Sequence, residues 1–418
     1  MVELNRVLFC FLLLFAGTSA FGIWVERINL LYFQKHCDRP PAGFEGFIDG
    51  TRLAGAVDYA RAKTRVGIVE EIVSDAVLLA ILLSGLLPLL VDWSNELKLS
   101  LIAAGLLFFF IPGIIHWLAE LPFGYYYTFF VEERFGFNRS TVKLWIIDHI
   151  KRALIASVLF AVIFSLLLLF ITWSPRFWWL WGFLLLSAAL LVMAVLYPVL
   201  LAPLFNRFEP IRDEELSARI GQQMEKSGIR VKKILQMDAG TRSRHTNAYF
   251  TGIGKTKQIV LFDTLIQSHT VDEILAVLAH EAGHYRKKHV LKQLIVFASF
   301  SLAALYATWL FIQWPLLFTT FGFKSSPPYV GLFLAGIVWS RAGFFLQPLY
   351  MAISRRFERE ADIFAADMLG SGAAMVVALK RLAADNLSNL NPHPLYVWFH
   401  YSHPPVVERV AMLERRQR

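Results

Sequence analysis

The stretch TVDEILAVLAHEAGHYRKKHVLKQLIVFASFSLAALYATWLFI, Thr270 to Ile312, decides the fold. Its first half predicts a helix in water: Thr270 and Glu273 form a capping box ahead of the apolar series Ile274, Leu275, Val277 and Leu278. On that helix His280 and His284 stand at i and i+4, so both project from one face and can share one tetrahedral metal ion. The second half, Val290 to Ile312, is long and apolar enough to cross hydrocarbon. Asp272, Glu273, Arg286, Lys287 and Lys288 flank the histidines, a charge density that hydrocarbon would not tolerate. The metal-binding helix therefore lies outside the membrane and feeds directly into a span.

Working outward, similar apolar runs recur at Val7 to Val25, Ile72 to Val91, Leu99 to Trp117, Ala153 to Trp173, Phe177 to Tyr197 and Tyr329 to Met351. With Val290 to Ile312 this predicts about seven transmembrane helices. Of the 418 residues 56% are hydrophobic, and the mean hydropathy is +0.51, far more apolar than a soluble domain of this length needs. The net charge of +9 does not imply a nucleic-acid partner, because Lys and Arg collect in alternate loops between the spans. Arg27, Lys35, Arg39, Arg52, Arg61, Lys63 and Arg65 follow the first run, and Arg134, Arg139, Lys143, Lys151 and Arg152 follow the third. That alternation predicts a multi-pass chain with its amino terminus outside, its carboxyl terminus inside and the histidine helix cytoplasmic. Cys10 and Cys37, the only cysteines, support neither a disulfide framework nor a thiolate metal site.

Residues 1–204 are read as an N-terminal membrane domain with five spans, and 205–418 as a metal-binding domain that includes the remaining two, about 290–312 and 329–351. Short strands are expected at Val231 to Met237, Asn247 to Phe250 and Gln258 to Phe262, with Gly252 and Gly254 marking a turn, which makes the water-exposed part α+β.

His280-Glu281-Ala-Gly-His284 is the HExxH pattern of zinc metallopeptidases. Glu281 is placed to take a proton from water as it attacks a peptide carbonyl. A catalytic zinc needs a third protein ligand, and Glu358 supplies it from the helix that leaves the last span. Asp362 shares its face; it either accepts a hydrogen bond from a ligand imidazole or donates a proton to the leaving amine. At 1.5 Å per helical residue, both halves of the site stand about 10–14 Å from the membrane edge. Glu360 is expected to be a solvated carboxylate, His289 an interfacial histidine off the ligand face, and His245 a loop residue whose substrate role is the lesser alternative.

These residues resemble the integral-membrane type I CAAX prenyl endopeptidases, gluzincin-type zinc enzymes. The resemblance extends over Phe130-Val-Glu-Glu-Arg-Phe-Gly-Phe-Asn138, Asn247-Ala-Tyr-Phe-Thr-Gly252, HEAGH, Arg356-Phe-Glu358-Arg-Glu-Ala-Asp362 and Tyr401-Ser-His-Pro-Pro405 with Glu408-Arg409. It implies one zinc ion on His280, His284 and Glu358, catalysis by Glu281, and a proton-donor or supporting role for Asp362. It further implies that Asn247 and Ala248 lie on an edge strand that pairs with the substrate backbone, that His403 lies near the cleaved bond, and that the helices surround a chamber inside the membrane. Arg409 has two readings, a substrate carboxylate or an acid of the protein itself. The implied substrates are prenylated or other membrane-associated peptides. The tail Glu414-Arg-Arg-Gln-Arg418 has no lysine-rich retrieval signal, and the insertions associated with eukaryotic members are missing, so a bacterial inner-membrane protein is expected. Bacteria generally lack prenylated CAAX substrates, which makes membrane-protein quality control the alternative role. A transporter with a structural metal site is the alternative of another class; Asp75, His116, Ser340 and Arg341 are its candidate ionisable or polar groups.

Overall fold

The computed structural model describes residues 2–251 and 258–416, so the turn expected at Gly252 and Gly254 lies outside the described residues. Six helices precede the α+β part: α1 Arg6–Lys35, α2 Gly50–Leu83, α3 Leu86–Glu96, α4 Leu101–Tyr126, α5 Val142–Trp173 and α6 Trp178–Leu196. A π-helical turn, Tyr127–Glu132, continues α4. Among the described residues six helices are long and apolar enough to cross a membrane, and up to seven spans result if the bent pair α2 and α3 counts as one.

That pair corrects the expectation of one continuous span from Ile72 to Val91. The helix breaks at Ser84 and Gly85 and bends by 49°. Gly85 adopts φ +86°, a left-handed conformation that costs a side-chain-bearing residue energy, and Pro88 has no N–H to offer the preceding turn.

The water-exposed part begins with β1 Phe208–Pro210 and α7 Glu214–Lys226, then runs through β2 Lys233–Met237, β3 Ala248–Thr251, β4 Gln258–Phe262, α8 Asp263–Ser268 and α9 Val271–Arg286. The sheet order is β1-β2-β4-β3; β2 and β4 pair in parallel, and the outer strands pair antiparallel to them. Residues of β4 alternate between the two faces. Ile259 and Leu261 pack with Leu216 and Ile220 of α7 and Ile274 and Leu278 of α9, while Val260 joins Met237 on the opposite face. The short β1 was not anticipated; Pro210 tolerates its place because β1 is an edge.

The chain then returns to apolar sequence with α10 His289–Phe311, α11 Pro315–Thr320 and α12 Pro328–Leu369, before the shorter α13 Ala373–Asp385, α14 Pro394–His400 and α15 Val406–Arg415. The 42-residue α12 joins the last apolar run and the acidic Glu358 to Asp362 stretch in one unbroken helix. Where α9 crosses it, a Cβ on Gly283 would lie 2.9 Å from the Cα of Ala361, a distance side chains do not reach. Glycine between the two metal-site histidines thus lets α9 approach α12 closely enough for their polar groups to meet.

Candidate active site

The Thr270 hydroxyl accepts from the Glu273 N–H and the Glu273 carboxylate accepts from the Thr270 N–H, so the capping box starts α9 as expected. Two and a half turns later His280 and His284 face Glu358 of α12. Their Nε2 atoms stand 3.1 Å apart; His280 Nε2 lies 3.2 Å from Glu358 Oε2, and His284 Nε2 lies 3.3 Å from Oε1. The three donors all fall within 4.8 Å of one another.

This donor set fits a divalent cation. Ligands at metal distances of about 2.0–2.1 Å in a tetrahedron stand roughly 3.3–3.4 Å apart, close to the spacing of these three groups. Glu358 Oε2 is buried and, despite its near neighbours, has no hydrogen bond of acceptable geometry. An orphaned carboxylate oxygen of this kind costs free energy unless a cation takes its lone pair.

His280 is buried, and its Nδ1 lies 2.8 Å from Asp362 Oδ1. Arg409 donates to both oxygens of Asp362, from Nε at 2.8 Å and from Nη2 at 2.6 Å. Asp362 is 0% exposed; burial alone would raise its carboxyl, but the Arg409 and His280 hydrogen bonds hold it down at about 2. A carboxylate so engaged accepts hydrogen bonds from Arg409 and His280, the geometry of the supporting alternative. Arg409 is buried, bonded to both oxygens of Asp362 and with its Nη2 3.4 Å from His280 Nδ1, so it is engaged inside the protein rather than free to hold a substrate carboxylate.

Burial disfavours the His280 imidazolium, yet Asp362 and Glu358 outweigh it and raise the ring to about 9 in the protein's own field. Glu358 is pulled the other way: burial raises it, but His280 and His284 lower it well below the carboxylate range. Burial raises the Glu281 carboxyl against the opposing pull of the same histidines, the direction that suits a general base. His403 hangs at the rim with its Nε2 3.3 Å from Glu358 Oε2, its side chain 55% exposed; partial burial lowers its pKa.

Among the described residues the strand β3 is the outer strand of the sheet, next to β4. The Phe262 N–H donates to the Asn247 carbonyl at 3.1 Å, so the alternation of an antiparallel ladder turns the backbone groups of Ala248 and Phe250 outward. The Asn247 side-chain oxygen accepts from the Ala248 N–H at 2.8 Å.

Several expectations fail in instructive ways. His289 is 1% exposed rather than interfacial; its ring stacks on Phe357 at 4.4 Å, and its Nδ1 lies 3.1 Å from His284 Nδ1. Helical periodicity misplaced it because α9 ends at Arg286 and Lys288 adopts φ +56°, which turns His289 back toward the site. Glu360 is not freely solvated: it contacts His289, Arg356 and Lys292. His245 is tied between Glu132 and Asn386 and stacks on Phe137, anchoring the loop before β3 to the end of α4. Arg355 gave no sequence signal; its Nη1 donates to the Val397 and Tyr401 carbonyls at 2.8 Å, fixing the corner that carries His403.

An HExxH helix joined by a carboxylate from a neighbouring helix, with both helices continuous with or next to apolar spans, defines an integral-membrane metalloendopeptidase. Residues 210–417 match Peptidase family M48, and residues 29–207 match the family described as CAAX prenyl protease N-terminal, five membrane helices. The chain is 34% identical over 392 residues to the CAAX prenyl protease 1 homolog of Oryza sativa subsp. japonica, covering 90% of each protein. It is 34% identical over 409 residues to CAAX prenyl protease 1 of Saccharomyces cerevisiae, covering 90% of this chain and 88% of that one. The crystal structure of S. mikatae Ste24p superposes with a TM-score of 0.89 at 31% identity, over 97% of this chain and 99% of that chain. The chain therefore belongs to the CAAX prenyl proteases of family M48 and is a multi-pass membrane metalloendopeptidase.

Proposed function

We propose that the chain is a zinc endopeptidase that cleaves prenylated or other membrane-associated peptides on the cytoplasmic side of its membrane. The observation that carries this reading is the triad of facing donors His280, His284 and Glu358, with its orphaned carboxylate oxygen. Zinc bound there supplies Lewis acidity, polarising the scissile carbonyl and acidifying water. Glu281 takes the proton from the attacking water and passes it to the leaving amine. Asp362, locked by Arg409, keeps His280 oriented and its Nδ1 hydrogen-bonded. The outward backbone of Ala248 on β3 offers an extended peptide a ladder position, with Asn247 beside it, and the 3.3 Å approach of His403 to the ligand Glu358 supports a role for His403 near the cleaved bond.

The alternating basic loops support the cytoplasmic assignment, and a bacterial inner membrane is the compartment we favour. The names of the relatives motivate prenylated CAAX peptides as substrates. The transporter alternative is not favoured. Arg341 is occupied by Asp75 and Ser19 and lies over the Phe15 ring, and His116 is shared between Ser74 and Glu120.

The test is cleavage of a farnesylated CAAX peptide and its unprenylated twin by purified protein, read by mass spectrometry with and without a chelator. Chelator-sensitive cutting of the farnesylated peptide alone is the expected result. Equal cutting of both would move the substrate to membrane-associated peptides in general, and chelator-insensitive cutting would contradict the metal mechanism.

A further inference from the structure

We propose that His289 and Glu360 are positioning residues for the metal ligand His284, forming a hydrogen-bonded chain from His284 Nδ1 through the His289 ring to a carboxylate. The inference rests on the proposed metal site and extends it to residues outside the ligand set.

The protons in this chain have no free choice. His284 Nε2 faces His280 and Glu358, so that nitrogen must present its lone pair to a cation and the ring's single proton stays on Nδ1. Among the described residues the partner for that N–H is Nδ1 of His289 at 3.1 Å, which must then accept. The proton of His289 is thereby assigned to Nε2, and that atom lies 3.1 Å from Glu360 Oε2, an acceptor. Each step follows from the one before, with the tautomers assigned from the network.

The chain is also built to hold still. His289 is 1% exposed and stacks parallel to Phe357, with 9° between the rings, and Phe357 immediately precedes the ligand Glu358. Lys288 in the left-handed region aims His289, the first residue of α10, back at α9. Arg356 donates to Glu360 at 3.1 Å, and Lys292 stands 3.9 Å away. One ligand imidazole is thus coupled to the first turn of a helix that continues as an apolar span.

The test measures zinc affinity by competition with a chelating dye, alongside the melting temperature of metal-stripped protein. His289→Phe retains the stacking on Phe357 but accepts no hydrogen bond. It is expected to weaken zinc binding by about 10- to 100-fold, the usual effect of losing such a partner, with the stripped protein melting as wild type. His289→Asn, which can still accept at the Nδ1 position, should recover part of the loss, and Glu360→Gln should show a smaller one. Wild-type affinity in His289→Phe would overturn the inference, as would a loss matched by an equal drop in melting temperature, which would mark a packing defect. A wild-type protein with no zinc affinity would instead overturn the metal-site reading beneath it.

Discussion

The two ligand histidines are supported in contrasting ways. His280 leans directly on Asp362, a carboxylate with no exposure that is clamped by a buried arginine from α15. On its Nδ1 side, away from the metal, His284 reaches a carboxylate through a second imidazole, and that carboxylate, Glu360, has a side chain 29% exposed and neighbours on the surface. Both arrangements orient a ring and enrich its lone pair. They differ in what failure costs: a dry ion pair that loses one partner strands the other charge, whereas a partly exposed carboxylate such as Glu360 can be replaced by water.

The largest effect expected from this contrast is on stability. Asp362→Ala leaves the Arg409 guanidinium buried and uncompensated, a loss of about 3–5 kcal/mol for a broken buried pair. Melting of the purified protein should show a large drop, and adding Arg409→Leu should restore much of it. Glu360→Ala should move melting far less. Equal drops in the two single variants would erase the distinction between the supports.

A smaller effect concerns pH. His280 is raised above the ordinary histidine value of 6.5, to about 9, so the protonated ring stabilises the metal-stripped fold fully below 6.5 and that contribution fades as pH rises through about 9. A cation must expel that proton, so zinc affinity should rise with pH over the same window, by about tenfold per unit for each proton released. An affinity that is flat between about pH 7 and 8.5 would mean that His280 binds without releasing a proton.

What could be read in advance follows from how local each signal is. The capping box at Thr270, the i and i+4 histidines, and the common face of Glu358 and Asp362 are encoded within a few residues, and the helices carry them as the spacing requires. The strands at Lys233, Ala248 and Gln258 were likewise legible from short apolar runs. Arg409 was ambiguous because its partner lies 47 residues away, and only the packing of α15 against α12 decides between a substrate and an internal acid. His289 was misread because helical phase was carried past Lys288, a residue in a conformation that nothing in its side chain announces. The break at Gly85 was hidden for a similar reason: hydropathy records how apolar a run is, not which way its backbone turns.

The account stands most directly on Glu281 acting at a metal held by His280, His284 and Glu358. Metal content and peptide cleavage measured on the same preparation of Glu281→Gln test this in one experiment. The expected result is about one zinc per chain, as in wild type, with cleavage reduced by at least about 10²- to 10⁴-fold, the contribution of a general base. Cleavage at the wild-type rate with the metal still bound would contradict it.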